Sequence, residues 1–273
     1  MVVAEQISSL PLSTDGAATR VAFIVRQSDT WCVRISVIVP AFNEERLLGE
    51  SLRAIKNAMQ VFALRGWQTE LIVCDNNSTD RTPAIAREAG AIVVFESINQ
   101  IARARNRGAG EATGDWLVFV DADSHPSADL FEDVAVQMTS GRCLAGGSTV
   151  RMPGWHPVAG LGTTVWNWIS RRKHWLAGSF IFCEAKVFRE IGGFSNELFI
   201  SEELDLSERL LKVAKKTGRE IVILREHPLW TSDRKMRLYS IREQIRFLFR
   251  VLFNYKVTTQ NREACYQWYD GRR

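Results

Sequence analysis

The chain has 273 residues, of which 46% are hydrophobic and 24% are charged. This composition is sufficient for a full hydrophobic core and excludes a mainly disordered chain, and no apolar run in the sequence approaches the roughly 18 residues that a membrane-spanning helix needs. The formal net charge of +4 is concentrated near the C-terminus, where residues 225–273 hold 11 Lys and Arg against 5 Asp and Glu.

Residues 1–33 are rich in small and polar residues and lack the basic start and apolar stretch of a secretion signal. We predict that they form an N-terminal leader and that the protein is cytoplasmic. Peripheral contact with the inner face of a membrane stays open. The five cysteines are scattered and odd in number, which favours reduced thiols over a disulfide framework.

From residue 35 onward, short β-branched runs alternate with segments whose apolar residues recur at helical spacing. The alternation predicts strands at 35–40, 70–75, 91–96 and 115–123, and helices at 42–66, 80–90 and 101–112. Apolar strands between amphipathic helices are typical of a parallel sheet that is covered on both faces. We therefore predict a single α/β domain over residues 34–235, with a Rossmann-like, mostly parallel sheet and helices on both faces.

The second half of the chain is less regular. We predict a helix at 128–138, a strand at 143–152, a strand with a short helix in 178–194, a helix at 201–218, a strand at 220–225, a loop at 226–235 and an amphipathic helix at 237–255. The intervening stretch 153–175 contains WNWISRRKHW and has no clear assignment. The basic C-terminal helix and tail, residues 236–273, could meet phosphate, an anionic membrane or nucleic acid, although a solvated basic face is the commoner case.

Acidic and polar residues follow successive predicted strands, at the sheet edge where open α/β sheets bind ligands. Asp121-Ala122-Asp123 ends the most apolar of these strands. Two carboxylates separated by one residue can converge on one Mg²⁺ or Mn²⁺ ion, and such an ion would offset the charge of a departing diphosphate. The position of this tripeptide favours metal binding over a chance pair of acids near a turn.

Two further side chains each have two interpretations. Asp75, at the tip of its strand, could accept hydrogen bonds from a nucleobase or a ribose, or it could cap the following helix. Arg105 has the planar fork that suits phosphate oxygens, yet arginines on helices, such as Arg103 and Arg105, are usually solvated.

Five blocks in order make the chain resemble family 2 glycosyltransferases, which have the glycosyltransferase A fold of nucleotide-diphospho-sugar transferases. The blocks are ISVIVPAFNEE, ELIVCDNNSTDRT, ARARNRGAGEATGDWLVFVDADS, FREIGGF and SEELDLSERL, and the resemblance runs over about residues 35–234. The resemblance implies a donor half at 34–124 and an acceptor half at 125–235. It also implies roles for the matching residues. Pro40, Asn43 and Glu44 would border the nucleotide, Asp75 would contact its base, and Arg105 would lie near it. The tripeptide Asp121, Ala122 and Asp123 would contact the ribose and the metal-bound diphosphate.

In the acceptor half, many family members have an acidic pair whose second acid is the catalytic base. Here the pair is Glu202-Glu203, so the resemblance implies that Glu203 is the base, with Glu202 and Asp205 as alternates. A base must lie within hydrogen-bond reach of the acceptor hydroxyl. The alternative is that these acids only complement the dipole of a helix N-terminus.

Three features beyond these blocks carry hypotheses. Some members of the fold supply a third metal ligand from a histidine on the C-terminal loop, a role that His227 would take, although a lone histidine is more often structural. The basic run 231–235 could close over the diphosphate. The tryptophans of 155–175 could contact an acceptor sugar or a lipid headgroup surface, or could pack in the core. The apolar stripe of 237–255 is more often core or a contact with a second copy in a homodimer than a membrane anchor.

Together these features predict a metal-dependent glycosyltransferase that uses Mg²⁺ or Mn²⁺ and a UDP-, GDP- or dTDP-linked sugar. It transfers the sugar to an acceptor hydroxyl with inversion, which is implied by the resemblance. The acceptor, whether lipid-linked or a small metabolite, is open. The alternatives are a retaining transferase of the same fold that acts on a small organic acceptor, and a noncatalytic nucleotide-sugar-binding protein. Nucleic acid is not an expected partner.

Overall fold

The computed structural model describes residues 33–152 and 157–234, together with part of 238–269. The predicted leader therefore lies outside the described residues, as does most of the predicted helix 237–255. The strands are β1 Arg34–Ala41, β2 Gln68–Asp75, β3 Ile92–Phe95, β4 Trp116–Val120, β5 Ser124–His125, β6 Cys143–Arg151, β7 Phe180–Glu184 and β8 Glu220–Thr231. The helices are α1 Leu48–Leu64, α2 Thr82–Glu88, α3 Ile101–Glu111, α4 Ala128–Thr139, α5 Pro157–Lys173, α6 Ala185–Glu190, α7 Glu202–Thr217, α8 Tyr255–Thr259 and α9 Tyr266–Tyr269.

The strands form one mixed sheet in the order β3-β2-β1-β4-β7-β6-β8-β5. Strands β3, β2, β1 and β4 are mutually parallel, and β6 is parallel to β8. Strand β7 runs antiparallel to both of its neighbours, and the short β5 is antiparallel to β8. The mostly parallel sheet is confirmed, and the parallel block brings the carboxyl ends of β1, β2 and β4 to one edge.

Two hydrophobic clusters cover the two faces of the sheet. Alternate residues of β1 divide between them, with Val37 and Val39 packed among residues of α1 and α4, and Ile38 among residues of α3, α6 and α7. Such double coverage requires continuous apolar strands, and residues 35–41 of β1 are all buried. Helices on both faces, as predicted, therefore hold the sheet edge in place from two sides.

The predicted loop at 226–235 is wrong over its first half, because β8 continues to Thr231. The strand is irregular there, since Ser148 of β6 pairs with Leu224 but Val150 pairs with Leu229. Residues 225–228 therefore form a bulge, and they include Pro228, which cannot donate a ladder hydrogen bond. The stretch without a clear assignment is largely helix α5.

None of the helices in the described part of the chain is long and apolar enough to cross a lipid bilayer.

Helix α3 approaches β1 closely at Gly108, where a Cβ atom would lie 2.5 Å from Cγ2 of the buried Ile38. At Gly110, two residues further along the same helix, a Cβ atom would have no other atom within 4 Å. We expect Gly108→Ala to destabilise the fold by about 1–3 kcal/mol through overpacking. Gly110→Ala should stabilise it by roughly 0.5–1 kcal/mol, since alanine is the better helix former. Urea unfolding of both variants checks these opposite signs, and a stabilised Gly108→Ala would contradict the close packing.

Candidate active site

An open cleft lies at the carboxyl ends of β1, β2 and β4. Its lining residues are Pro40, Ala41, Phe42, Glu44, Asn76, Asn99, Ile101, Ala104, Asp121, Ala122, Asp123 and Tyr269. Polar groups thus collect at the edge where the sequence places them.

The acidic tripeptide forms one wall of this cleft directly after β4. The backbone N–H of Asp121 donates to Ser179 O at 3.1 Å, and the N–H of Ser232 donates to Asp123 O at 3.1 Å. The turn is therefore held from the strands beside it. The side chains of Asp121 and Asp123 are 24% and 15% exposed, so both carboxylates are within reach of a ligand in the cleft.

Arg234, just after β8, faces the same wall. Its Nη1 and Nη2 donate to the two carboxylate oxygens of Glu44 at 2.8 and 2.6 Å, and Nη2 lies 3.9 Å from Asp123 Oδ2. Arg234 of the basic run 231–235 therefore lies beside Asp123, while closure of this run over a diphosphate stays a prediction. This arginine already supplies positive charge beside Asp123.

A turn after β1 interlocks with the loop after β2. Asn43 has a left-handed φ of 52°, its N–H donates to Ser78 Oγ at 3.0 Å, and its Oδ1 accepts from the Thr79 N–H at 2.8 Å. The Glu44 N–H donates to Thr82 Oγ1 at 2.7 Å. Asn43 therefore shapes the rim of the cleft, whereas Pro40 and Glu44 line it.

Asp75 is buried at the end of β2. Its Oδ1 accepts a hydrogen bond from the Ser78 N–H at 3.0 Å, so part of the carboxylate orders the loop. The neighbouring Asn76 lines the cleft, and its side chain donates to the carbonyls of Glu96 and Ile98 and accepts from the Gln100 N–H. The sequence pattern pointed to this loop, and the structure adds Asn76 to it.

The acidic pair begins helix α7. Ser201, immediately before it, has a left-handed φ of 63°, a costly conformation for a residue other than glycine. The turn buries Glu202 and leaves Glu203 half-buried. Asp205 instead forms an ion pair with Arg209 along the helix, at 2.6 and 2.9 Å, so the structure separates it from the pair.

Arg105 joins this acidic pair to the acidic tripeptide. Its Nη1 donates to Glu202 Oε1 at 2.6 Å and its Nη2 to Asp121 Oδ1 at 2.9 Å. The side chain is 1% exposed and is not among the residues that line the cleft. The nucleotide neighbour that the resemblance implies is therefore a buried link behind the cleft wall.

The surroundings of the acidic pair disfavour two ionised carboxylates at once. Burial, together with the charge of Glu202, raises the pKa of Glu203 to about 8, and Arg105 opposes the shift. Burial also raises the pKa of Glu202, again opposed by Arg105. A general base is most effective when its pKa lies near the working pH, which fits Glu203 better than the arginine-bound Glu202.

His227 lies in the bulge of β8, and its Nδ1 is 2.9 Å from Asp133 Oδ2 on α4. This carboxylate raises the pKa of His227. Within the described ranges, no group of three or more His, Cys, Asp and Glu side chains is arranged to hold a metal ion. The structure therefore does not bring His227 to Asp121 and Asp123 as a third ligand.

The tail adds a residue that the sequence analysis missed. Tyr269 of α9 lines the cleft, and its hydroxyl donates to Phe199 O at 2.8 Å, while the Phe199 N–H donates to Thr259 O at 2.7 Å. Burial raises the pKa of Tyr269. No local pattern in QWYD points to such a position, because the contact joins residues 70 positions apart.

Two tryptophans of α5 differ in their surroundings. Trp166 packs against the hydrophobic cluster that includes α1 and α4, whereas Trp168 is 59% exposed. The following Arg171, Arg172 and Lys173 are exposed as well. An acceptor or membrane role for this surface stays a prediction.

A divalent cation is compatible with the donors present at the tripeptide. Asp121 and Asp123 offer carboxylate oxygens, and Mg²⁺ is commonly held by one or two carboxylates with substrate phosphates and water completing the shell. A site with only two protein acids therefore fits a cation that binds together with a diphosphate. It does not fit a dedicated cage of protein ligands.

Comparison with known proteins identifies the family of this chain. The sequence profile described as glycosyl transferase family 2 matches residues 36–181. An uncharacterized glycosyltransferase of Mycobacterium tuberculosis is 33% identical over 142 residues, which cover 51% of this chain and 61% of that protein. The chain therefore spans less than two thirds of this relative.

Two solved structures share the fold. A mannosyltransferase from Pyrobaculum calidifontis in complex with GDP-Man and Mn²⁺ has a TM-score of 0.60 at 19% identity, over 86% of this chain and 65% of that one. Glucosyl-3-phosphoglycerate synthase from Mycobacterium tuberculosis, in complex with Mn²⁺, UDP-glucose and phosphoglyceric acid, has a TM-score of 0.53 at 20% identity, over 80% and 79%. The predicted glycosyltransferase A fold is thus confirmed. With its profile matched over more than half of its length, the chain belongs to glycosyl transferase family 2.

Proposed function

We propose that this protein is a metal-dependent glycosyltransferase that moves a sugar from a nucleotide-diphospho-sugar to an acceptor hydroxyl with inversion. The observation that carries the proposal is the arrangement around Arg105, which connects an aspartate of the cleft wall to the acidic pair of α7. Donor-binding and base residues, far apart in sequence, are thereby parts of one site.

Asp121 and Asp123 are the residues that would hold Mg²⁺ or Mn²⁺. A cation bound there would supply charge neutralisation to the diphosphate as it leaves. Both fold neighbours described above carry Mn²⁺ together with a nucleotide-sugar, which supports this assignment. Arg234, held on Glu44 and 3.9 Å from Asp123, adds a fixed positive charge for the same phosphates.

The nucleotide would occupy the cleft. Pro40, Asn76 and Ala122 form its walls, and Asp75 at the end of β2 supports the loop that carries Asn76. Asp75 can contact the nucleobase only through the part of its carboxylate that does not accept from the Ser78 N–H. We assign the contact with the nucleobase to the loop after β2, with Asp75 as the hydrogen-bond acceptor.

Glu203 would take the proton from the acceptor hydroxyl. Glu203 is half-buried as a residue, and its raised pKa fits a base that works near neutral or mildly alkaline pH. Attack by the acceptor on the face of the sugar opposite to the diphosphate inverts the anomeric carbon. Membrane contact and a homodimer stay predictions.

Thermal unfolding with UDP-, GDP- and dTDP-linked sugars, each in the presence of Mn²⁺, tests the donor. A ligand at 100 times its Kd adds about 2.7 kcal/mol to the stability of the folded form, which corresponds to a Tm increase of roughly 5–10 °C for a domain of this size. We expect one nucleotide class to give this increase with Mn²⁺ and much less with EDTA. If none of the three raises the Tm, the proposed donor class is wrong.

A further inference from the structure

Arg105 is a buried cation placed between acids from distant parts of the chain. Its partners Asp121 and Glu202 are 16 and 97 residues away in sequence. Nη2 also donates to Gly178 O at 2.7 Å, and the guanidinium carbon lies 5.2 Å from the ring centre of Phe194. Four different segments therefore fix the orientation of one planar group.

The shape of the guanidinium sets the distance between these acids. Its two terminal nitrogens point in fixed directions, and each holds one carboxylate oxygen. Gly178 permits the approach, since a Cβ there would lie 3.2 Å from Nη2 of Arg105 and 3.6 Å from the carboxyl carbon of Glu203. The 3.2 Å approach is tight for a Cβ atom, whereas 3.6 Å is an ordinary contact, so this glycine mainly leaves space for the fork.

The geometry excludes direct donor contact by this side chain in the conformation described. Arg105 is 1% exposed and both terminal nitrogens are engaged, and it does not line the cleft, whereas its partner Asp121 does. Burial of a charge is costly unless it is paired. An arginine on a solvated helix face has no such cost. Because Arg105 is buried and paired instead, we infer that its position serves to join its partners.

We propose that Arg105 is a positioning residue of the transfer reaction, which holds Asp121 of the donor wall and Glu202 of helix α7 at the two ends of one rigid fork. This inference rests on the proposed function. Through Asp121 the fork fixes the donor side, and through Glu202 it fixes the first turn of α7, where Glu203 lies. The distance from the departing diphosphate to the base is thereby set by one side chain.

Arg105→Lys tests this role, because lysine keeps the charge but cannot hold both carboxylates in a fork. We expect kcat for nucleotide release to fall about 10²-fold, the cost of a small misplacement of reacting groups, with little change in the KM of the nucleotide-sugar. The assay uses whichever of UDP-glucose, UDP-GlcNAc and GDP-mannose the wild type turns over. Titration with UDP or GDP plus Mn²⁺ should give a Kd near that of the wild type. Arg107→Lys is the matched control, since Arg107 lies on the same helix but pairs with Glu111 at the surface.

A double variant, Arg105→Gln with Glu202→Gln, separates positioning from stability. Removal of the arginine alone leaves Glu202 as an unpaired buried acid, whereas the double variant leaves two neutral amides. We expect the double variant to recover most of the Tm that Arg105→Gln loses, while kcat stays low.

Two results would overturn the positioning role. One is a wild-type kcat in Arg105→Lys or in the double variant. The other is a large rise in the Kd for UDP or GDP with kcat unchanged at saturation, which would make Arg105 a donor ligand. A wild type that turns over no nucleotide-sugar refutes the proposed function itself, and it removes the positioning role with it.

Discussion

Asp123→Asn is expected to abolish Mn²⁺-dependent turnover. The substitution keeps the size of the side chain but removes the negative charge that would hold the cation at the diphosphate. Since a bound cation contributes several kcal/mol of charge stabilisation, and 1.36 kcal/mol corresponds to a factor of ten in rate, turnover should fall at least about 10³-fold. Isothermal titration with Mn²⁺ and UDP or GDP should show a parallel loss of metal affinity.

His227→Ala is the control for this experiment. His227 is bonded to Asp133 in the bulge of β8, so its removal should leave both the Mn²⁺ titration and the turnover near wild-type values. A weakened titration in His227→Ala would restore the histidine as a ligand. Unchanged metal binding in Asp123→Asn would place the cation elsewhere, and a wild type that binds nucleotide-sugars without turnover would be a binding protein.

The parallel part of the fold is predictable from local patterns. Predicted strand 70–75 lies within β2, and predicted helix 101–112 matches α3 to one residue. These segments owe their form to apolar periodicity and to breaks at polar residues, which are local properties. The direction of β7 is not local, because FIFCE reads the same in a parallel or an antiparallel neighbour.

The candidate site likewise contains residues that local sequence patterns predict and contacts that they do not. Asp121 and Asp123 are evident because two acids follow a buried strand, and they do line the cleft. The partners of Arg105 could not be read from ARARNRG, where alternate arginines resemble a solvated helix face. Only tertiary packing decides which of them is buried, and it selects Arg105 at 1% exposure over Arg107 at 43%.

The tail shows a further limit of sequence patterns. Residues 236–273 attract attention by their charge, yet the residue that reaches the cleft is the aromatic Tyr269. Its contact with Phe199, next to the turn at Ser201, ties the tail to the segment that presents the acidic pair. Charge patterns indicate where a surface is basic, but they do not reveal which neutral side chain lines the cleft.

Glu203→Gln is expected to remove the base of the reaction. General base catalysis contributes about 10²–10⁴-fold to rate, so turnover at pH 8 should fall by that factor while the Kd for UDP or GDP with Mn²⁺ stays near the wild-type value. Glu203→Asp keeps the carboxylate on a side chain one methylene shorter and should give an intermediate rate. Asp205→Asn is the matched control, because Asp205 lies in the same helical turn but pairs with Arg209.

The dependence of kcat/KM on pH is a second test of Glu203, because the proposed role predicts the direction of the change. A carboxyl group accepts a proton only when it is ionised, and burial beside Glu202 raises the pKa of Glu203 to about 8. The kcat/KM of the wild type should therefore rise about tenfold per pH unit below that value and level off above it. Glu203→Gln should lose this rise, whereas Asp205→Asn should keep it, since the group that titrates is unchanged.

The stereochemistry of the product decides whether Glu203 acts in line. A base that activates the acceptor hydroxyl for direct displacement gives an inverted anomeric carbon, which proton NMR of the product resolves by its coupling constant. Retention of configuration would contradict this role even if Glu203→Gln were inactive, since the carboxylate would then serve a different step. Inversion together with the loss of the alkaline rise in Glu203→Gln would connect the carboxyl group of Glu203, at the start of α7, to the proton that leaves the acceptor.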